Sequence, residues 1–364
     1  MTADRLTLRE LNRAYLDRQL LLERHAMPAL DAIEHLVGMQ SQAPNPPYIG
    51  LWSRLADFAF DEVAGLMRER RALRIVLMRG TLHLVSARDA HGIRPLTQVI
   101  LDRYLESPRG RALDGVDLPA VAAHARAHLE EAPRSDKELR EILAERWPGT
   151  DAAELNWGVR CMLPLVQVPP RGIWGASGTA RHTTLEAWLG TGPGFTVDEL
   201  VLRYLAAFGP ASVRDAQHWS GLTRLGEVVE RLAPRLRAFR DENGRTLYDL
   251  PDAPRPGAAA PAPVRFVPDF DNLLLSHADR ARIITEEHRK RVFTVNGIIR
   301  ATFLVDGFVH GMWKIEKRRG EAVLRLDPFA PLPPGARDDL EAEGLRLLAA
   351  AHPEAKTHAV TFAD

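Results

Sequence analysis

One order of elements recurs along this 364-residue chain: a helix, a second helix opened by a capping residue, a third helix, and a turn-punctuated hairpin. Reciprocal capping pairs stand at Thr7 with Glu10, Ser135 with Glu138, Thr196 with Glu199 and Ser212 with Asp215. In each, a hydroxyl and a carboxylate three residues apart cover backbone amides that the first helical turn leaves unpaired. In the clearest segment, apolar residues from Thr196 to Phe208 recur at helical spacing and Gly209-Pro210 ends the helix. A short helix follows from Ser212 to Gly221, and another from Thr223 to Ala233 stops before Pro234. Asn243-Gly244 then centres an alternating stretch, which is a hairpin signal. This is the order of a winged helix.

The region from Pro119 to Thr184 repeats the order, with helices to about Glu131, from Ser135, and from Asp151 to Cys161, then a glycine-punctuated hairpin. Nearer the start, helices at 7–23 and 28–39 precede a proline-rich break, a helix at 61–70 and two strands between Leu73 and Val85. The expected fold is α+β, with three tandem winged-helix (helix-turn-helix) motifs over 1–110, 111–190 and 191–252 and a Pro/Ala-rich linker at 253–263. Residues 264–364 are expected to form a small antiparallel sheet or barrel, with a helix near 337–351 and a last strand.

Charge is balanced overall, with 48 basic and 48 acidic residues, so no global field advertises a nucleic-acid partner. Locally the balance shifts. Arginines 68, 70, 71, 74, 79, 88, 94, 103, 109 and 111 face four acids, Glu69, Asp89, Asp102 and Glu106. A second basic run, Arg289-Lys290-Arg291, is expected on a hairpin, and Lys314, Lys317, Arg318 and Arg319 follow it. Such clusters fit either phosphate contacts or a solvated face. No stretch reaches the ~18 apolar residues of a membrane span, and no leader is apparent, so a cytoplasmic protein is expected. The single cysteine, Cys161, lies in an apolar run and is expected to be a buried thiol.

Candidate chemistry concentrates in Leu36-Val37-Gly38-Met39-Gln40-Ser41-Gln42-Ala43-Pro44. On an extended chain residues two apart point the same way, so Gln40 and Gln42 could converge on one small molecule such as water; ordinary capping is the plainer account. Arg171 to Thr179 carries glycines without the Lys-Ser/Thr of a phosphate loop, and reads as a hairpin wing. His124 and His128 stand one turn apart without the glutamate a zinc protease helix requires. Asp269-Phe270-Asp271-Asn272 offers two carboxylates to acid/base chemistry or a metal, or simply to turn capping.

Four segments carry a resemblance: the glutamine stretch, Gly50 to Leu55, Leu77 to Val85 and Asp269 to Arg280. In that order they resemble the AlkZ/YcaQ-like winged-helix DNA glycosylases, over about residues 5 to 325, nearer the AlkZ branch because Gln42 stands where the YcaQ branch carries aspartate. The resemblance implies three winged helices and a C-terminal β-barrel around a DNA-sized channel, with catalytic glutamines at Gln40 and Gln42. Ser41 departs from the apolar or small residue usual between them. Arg79, Thr81 and His83 then become candidate DNA contacts, with Arg289, Lys290 and Arg291 second, and Asp271 and Asn272 candidate pocket residues. The implied activity is monofunctional excision of cationic N7- or N3-alkylated purines from double-stranded DNA by a monomer, without metal or organic cofactor. Members of the AlkZ branch unhook interstrand crosslinks and guard producers of DNA-alkylating antibiotics. The alternative is a non-catalytic winged-helix DNA-binding protein or transcription regulator.

Overall fold

All four capping pairs close their reciprocal hydrogen bonds in the structure, a computed structural model that describes residues 4–363. The first three residues, read above as carrying no leader, lie outside the described residues. The architecture is α+β, and no described helix is long and apolar enough to cross a membrane.

The first unit contains helices Leu8–Arg18, Ala29–His35, Pro46–Arg54 and Phe60–Arg68, then strands Ala72–Val76 and Leu82–Ser86. Two boundaries differ from expectation. The helix predicted to reach 39 ends at His35, because Val37 (φ 55°) and Gly38 (φ 84°) turn left-handed and release Met39–Gln40 as a short strand. The expected proline-rich break is itself a helix. Pro46 and Pro47 occupy its first turn, where a missing amide proton leaves no bond unmade.

A long helix, Ala87–Leu105, leads to the second unit: helices Leu118–Glu131, Asp136–Arg146 and Ala152–Met162, then strands Leu165–Val168 and Arg181–Thr184. The glycine-rich stretch at 171–179 lies in the connection between those strands, as a wing would. The first two hairpins merge. One six-stranded sheet runs Met39–Gln40, Leu82–Ser86, Ala72–Val76, Leu165–Val168, Arg181–Thr184, Arg134–Ser135, joined across the units where Arg74 pairs with Gln167 and Ile75 with Val166.

The third unit has helices Val197–Phe208, Val213–Ser220 and Leu225–Leu232 and the hairpin Arg237–Arg240 with Thr246–Asp249. Strand Asp4–Arg5 adds to that hairpin in parallel. Between this unit and the first helix lies an aromatic core: Tyr204 packs 5.3 Å from Phe208 and 4.9 Å from Trp219, with Tyr15 against Phe208. Burial of side chains this size contributes about 1.5–3 kcal/mol each. It also fixes the turn after Trp219, on which the site below depends.

Residues 253–263 form no strand or helix, as expected of the linker. Beyond them stands one five-stranded sheet, ordered Arg265–Val267, Thr302–Val305, Phe308–Arg318, Glu321–Pro328, Thr357–Phe362. It is not the antiparallel barrel the resemblance implied: its outer strands do not pair, and the last runs parallel to its neighbour. The helix Ala336–Ala351 is the reason, since a helical crossover returns the chain in the same direction and covers the sheet instead of closing it. The run Arg289-Lys290-Arg291 also differs from expectation, lying on helix Glu286–Val292, which Thr285 caps, and not on a hairpin.

Candidate active site

Gln40 enters the site from the edge of the six-stranded sheet. Met39 pairs with Leu84 and Gln40 with His83, and the Ser41 amide continues the ladder by donating to Leu82 O at 2.7 Å. Gly38 makes the approach possible: at φ +84° a Cβ there would stand 2.5 Å from Val85 Cγ1. Strand alternation then separates the three central residues. Ser41 turns to Arg74, whose Nε donates to Ser41 Oγ at 3.0 Å and whose Nη2 donates to Ser41 O at 2.6 Å. Arg74 also bonds Gln167 of the second unit, so the serine that departs from the family pattern is tied into the shared sheet.

Gln40 is 7% exposed, and its Oε1 accepts from Arg79 Nη2 at 2.6 Å. Gln42 is exposed, and its Oε1 accepts from the Leu82 amide at 3.0 Å. A guanidinium and a backbone N–H are donors only, so both side-chain amides must turn their oxygens inward. Neither amide nitrogen has a protein acceptor among the described residues.

Arg79 sits at a left-handed turn (φ 56°) between the two strands of the first hairpin. It donates to Gln40 and to Trp219 O, while Tyr104 Oη donates to Arg79 O at 2.9 Å. Burial, with Arg280 nearby, lowers its pKa to about 10, so it stays charged at neutral pH. Its guanidinium is therefore committed to the protein. Thr81 is half-buried and donates to Met78 O at 3.0 Å. His83 is fully buried; burial drives its pKa down to about 3, and its Nδ1–H donates to Thr81 O at 2.8 Å. Expected as a DNA contact, it has no route to a phosphate here. The arginine-rich stretch is likewise less of a surface than its composition implied, since Arg74 and Arg94 are buried at 2% and 4% exposure.

The sequence from Pro268 to Asn272 closes a small cavity beside Gln40, Gly38 and Pro46. Asp271 and Arg54 form a two-bonded ion pair at 2.9 Å, with side chains 2% and 1% exposed. Arg54 further donates to Gln19 O and Gly50 O, and Asp271 accepts from the Leu273 amide. Asn272 Nδ2 donates to Gly38 O at 3.1 Å, clamping the turn that leads into Gln40. Asp269 is half-buried, and burial raises its carboxyl pKa.

On the other side of Arg79, Arg280 donates to Leu274 O at 2.8 Å and approaches His218 Nε2 at 2.9 Å. It opens onto a cavity of about 770 Å³ also lined by Arg214, Arg245 and Arg289. Glu286 pairs with Arg289 at 2.7 Å, Arg291 lies over Phe329, and Lys290 is exposed. Sequence reasoning named Arg289, counted Arg74 only within the arginine-rich stretch, and missed the roles of Arg280, Arg214 and Arg54. Arg54 and Arg280 stand inside the quoted motifs, which was the available signal.

Arranged this way, the chain has the fold of a DNA glycosylase: the solved structure of Streptomyces sahachiroi DNA glycosylase AlkZ matches it at TM-score 0.81 and 20% identity, covering 100% of both chains. Residues 33–350 match the family described as DNA glycosylase AlkZ-like, and the chain belongs to that family. No curated protein matches it.

Proposed function

We propose that this DNA glycosylase hydrolyses the N-glycosidic bond of cationic N7- or N3-alkylated purines, with Gln40 and Gln42 holding the attacking water. The observation that carries the proposal is the orientation of the two amides, whose donors are directed away from protein partners while their oxygens are fixed by Arg79 and Leu82. Alkylation gives the base a positive charge, so it departs neutral without an acid to protonate it. What the protein must supply is a placed nucleophile and a setting for an oxocarbenium-like sugar. Uracil and undamaged purines, which need protonation to leave, should not be substrates.

None of the five lysines lines the cavity beside Gln40, which supports hydrolysis without a lysine imine and an abasic product with its strand intact. The three helix-and-hairpin units are read as winged helices within the boundaries given above, and the protein as a cytoplasmic monomer. The Arg280, Arg289 and Arg214 groove is the proposed path of the DNA backbone, together with the exposed Lys290 on the helix that carries Arg289. Thr81 would border the lesion, and Arg79 would act through Gln40. By likeness to AlkZ the proposal extends to crosslinks and to self-resistance against an alkylating product.

The deciding experiment offers the purified protein duplexes carrying N7-methylguanine, uracil or a crosslink and measures free base. Release of methylguanine, with strand scission only after alkali and no borohydride-trapped adduct, supports the reading. Tight binding of the lesion without release of purine overturns it in favour of a non-catalytic DNA-binding protein. For the groove, R214Q and K290Q are each expected to reduce the slope of log K against log salt by about 1, uniformly across sequences. An unchanged slope removes that groove from the DNA path.

A further inference from the structure

We infer that Asp269 accepts the proton of the attacking water, a part the two glutamines cannot play; the inference rests on the glycosylase reading above. Hydrolysis leaves a proton to be placed. The C1′–N9 bond breaks with its electron pair passing to the cationic purine, the water oxygen bonds C1′, and one water proton must leave the forming alcohol. An amide donor can hold the water oxygen through a lone pair, but an amide is too weak a base to take that proton. In this site both amide oxygens already receive protein donors.

Two carboxylates border the same cavity as Gln40, namely Asp269 and Asp271. Asp271 is matched in charge by Arg54 and accepts in addition from the Leu273 amide. Asp269 accepts from the Ala301 amide, Oδ1 at 3.0 Å, and from its own backbone amide, and no cation pairs with it among the described residues. Its place is fixed: Pro268 precedes it, and Phe270 follows in a left-handed turn (φ 59°) whose amide donates to Ile299 O. The charged groups around it are Arg54 and Asp271 on the Gln40 side, and Arg300, Lys314, Arg325 and Asp327 around the cavity on its other side. Burial without a counter-ion makes this carboxylate a stronger base than one in open water, and its raised pKa agrees with that. Ionised, it takes the water proton and passes it to solvent after the sugar is hydroxylated.

The test is single-turnover release of N7-methylguanine from duplex DNA as a function of pH. Wild-type enzyme is expected to lose rate on an acid limb lying above the ordinary aspartate value of 3.8, because protonation removes the acceptor. D269N keeps an oxygen for the Ala301 amide. It is expected to fall by about 100-fold and to lose the limb, while binding of damaged DNA and the melting temperature stay close to wild type. D269E, which keeps the acid on a longer arm, should recover part of the rate with its limb. Wild-type activity with D269N within about threefold and an unchanged limb overturns the inference. If D269N does not fold, the wild-type profile decides alone: a rate flat down to about pH 4 refutes the role. A wild-type protein that releases no base at all instead brings down the glycosylase reading, a result distinguishable from both.

Discussion

Replacing Gln40 by alanine is expected to lower single-turnover release of N7-methylguanine by about 100- to 1000-fold, the usual consequence of deleting one positioned hydrogen-bonding group from a water-poor site. Gln40 is 7% exposed and held by a 2.6 Å bond from Arg79, so its amide is rigid before substrate arrives. Alanine removes the donor that orients water and leaves Arg79 with only Trp219 O as acceptor. Affinity for undamaged DNA should hardly change, because the groove arginines are untouched. Q42A should lose less, about 10-fold, since that side chain is exposed and tethered by a single backbone amide. The double variant should be little worse than Q40A alone if the pair holds one water. Q40A retaining wild-type excision would end the assignment of the glutamines to catalysis.

The largest effect on stability is expected from D271A, about 3–5 kcal/mol, measured by urea or thermal unfolding. Arg54 and Asp271 are 1% and 2% exposed at their side chains, and removal of the acid strands a guanidinium that no solvent reaches. The pair joins helix Pro46–Arg54 to the connection that follows the first strand of the C-terminal sheet, two parts of the chain 217 residues apart. Joint replacement by apolar residues, R54M with D271L, should return much of the loss, because neither charge then remains buried alone. A D271A protein as stable as wild type would show that the ion pair does not hold the cavity wall.

What was legible in the sequence was local. The helix starts at Thr7, Ser135, Thr196 and Ser212 could be placed because the pair that marks each lies within one turn. The hairpin at Asn243-Gly244 was legible for the same reason. Pro46-Pro47 misled, since prolines both break helices and open them, and only the following residues decide which. Thr285 three residues before His288 marked a helix start, but the basic residues behind it drew the reading toward a wing. The barrel was lost to one helix at 336–351 that sets the direction of the last strand. At the candidate site, Gln40 and Gln42 were singled out by resemblance, while the bond from Arg79, thirty-nine positions away, and the reach of Arg74 across to Gln167 have no trace in local pattern. Composition counted Arg74 and Arg94 with the surface, and burial moved them inside.

The strand that delivers Gln40 lies in one sheet with strands of the second unit, and Arg74 fastens it from beneath to Gln167. The first and second units are therefore not separable modules on a flexible string. A twist of the second unit reaches the Gln40 backbone through ladder bonds and one buried guanidinium. A fragment truncated after the first hairpin would keep the pairing of Gln40 with His83 but lose the strand Leu165–Val168 and Gln167, which brace Arg74.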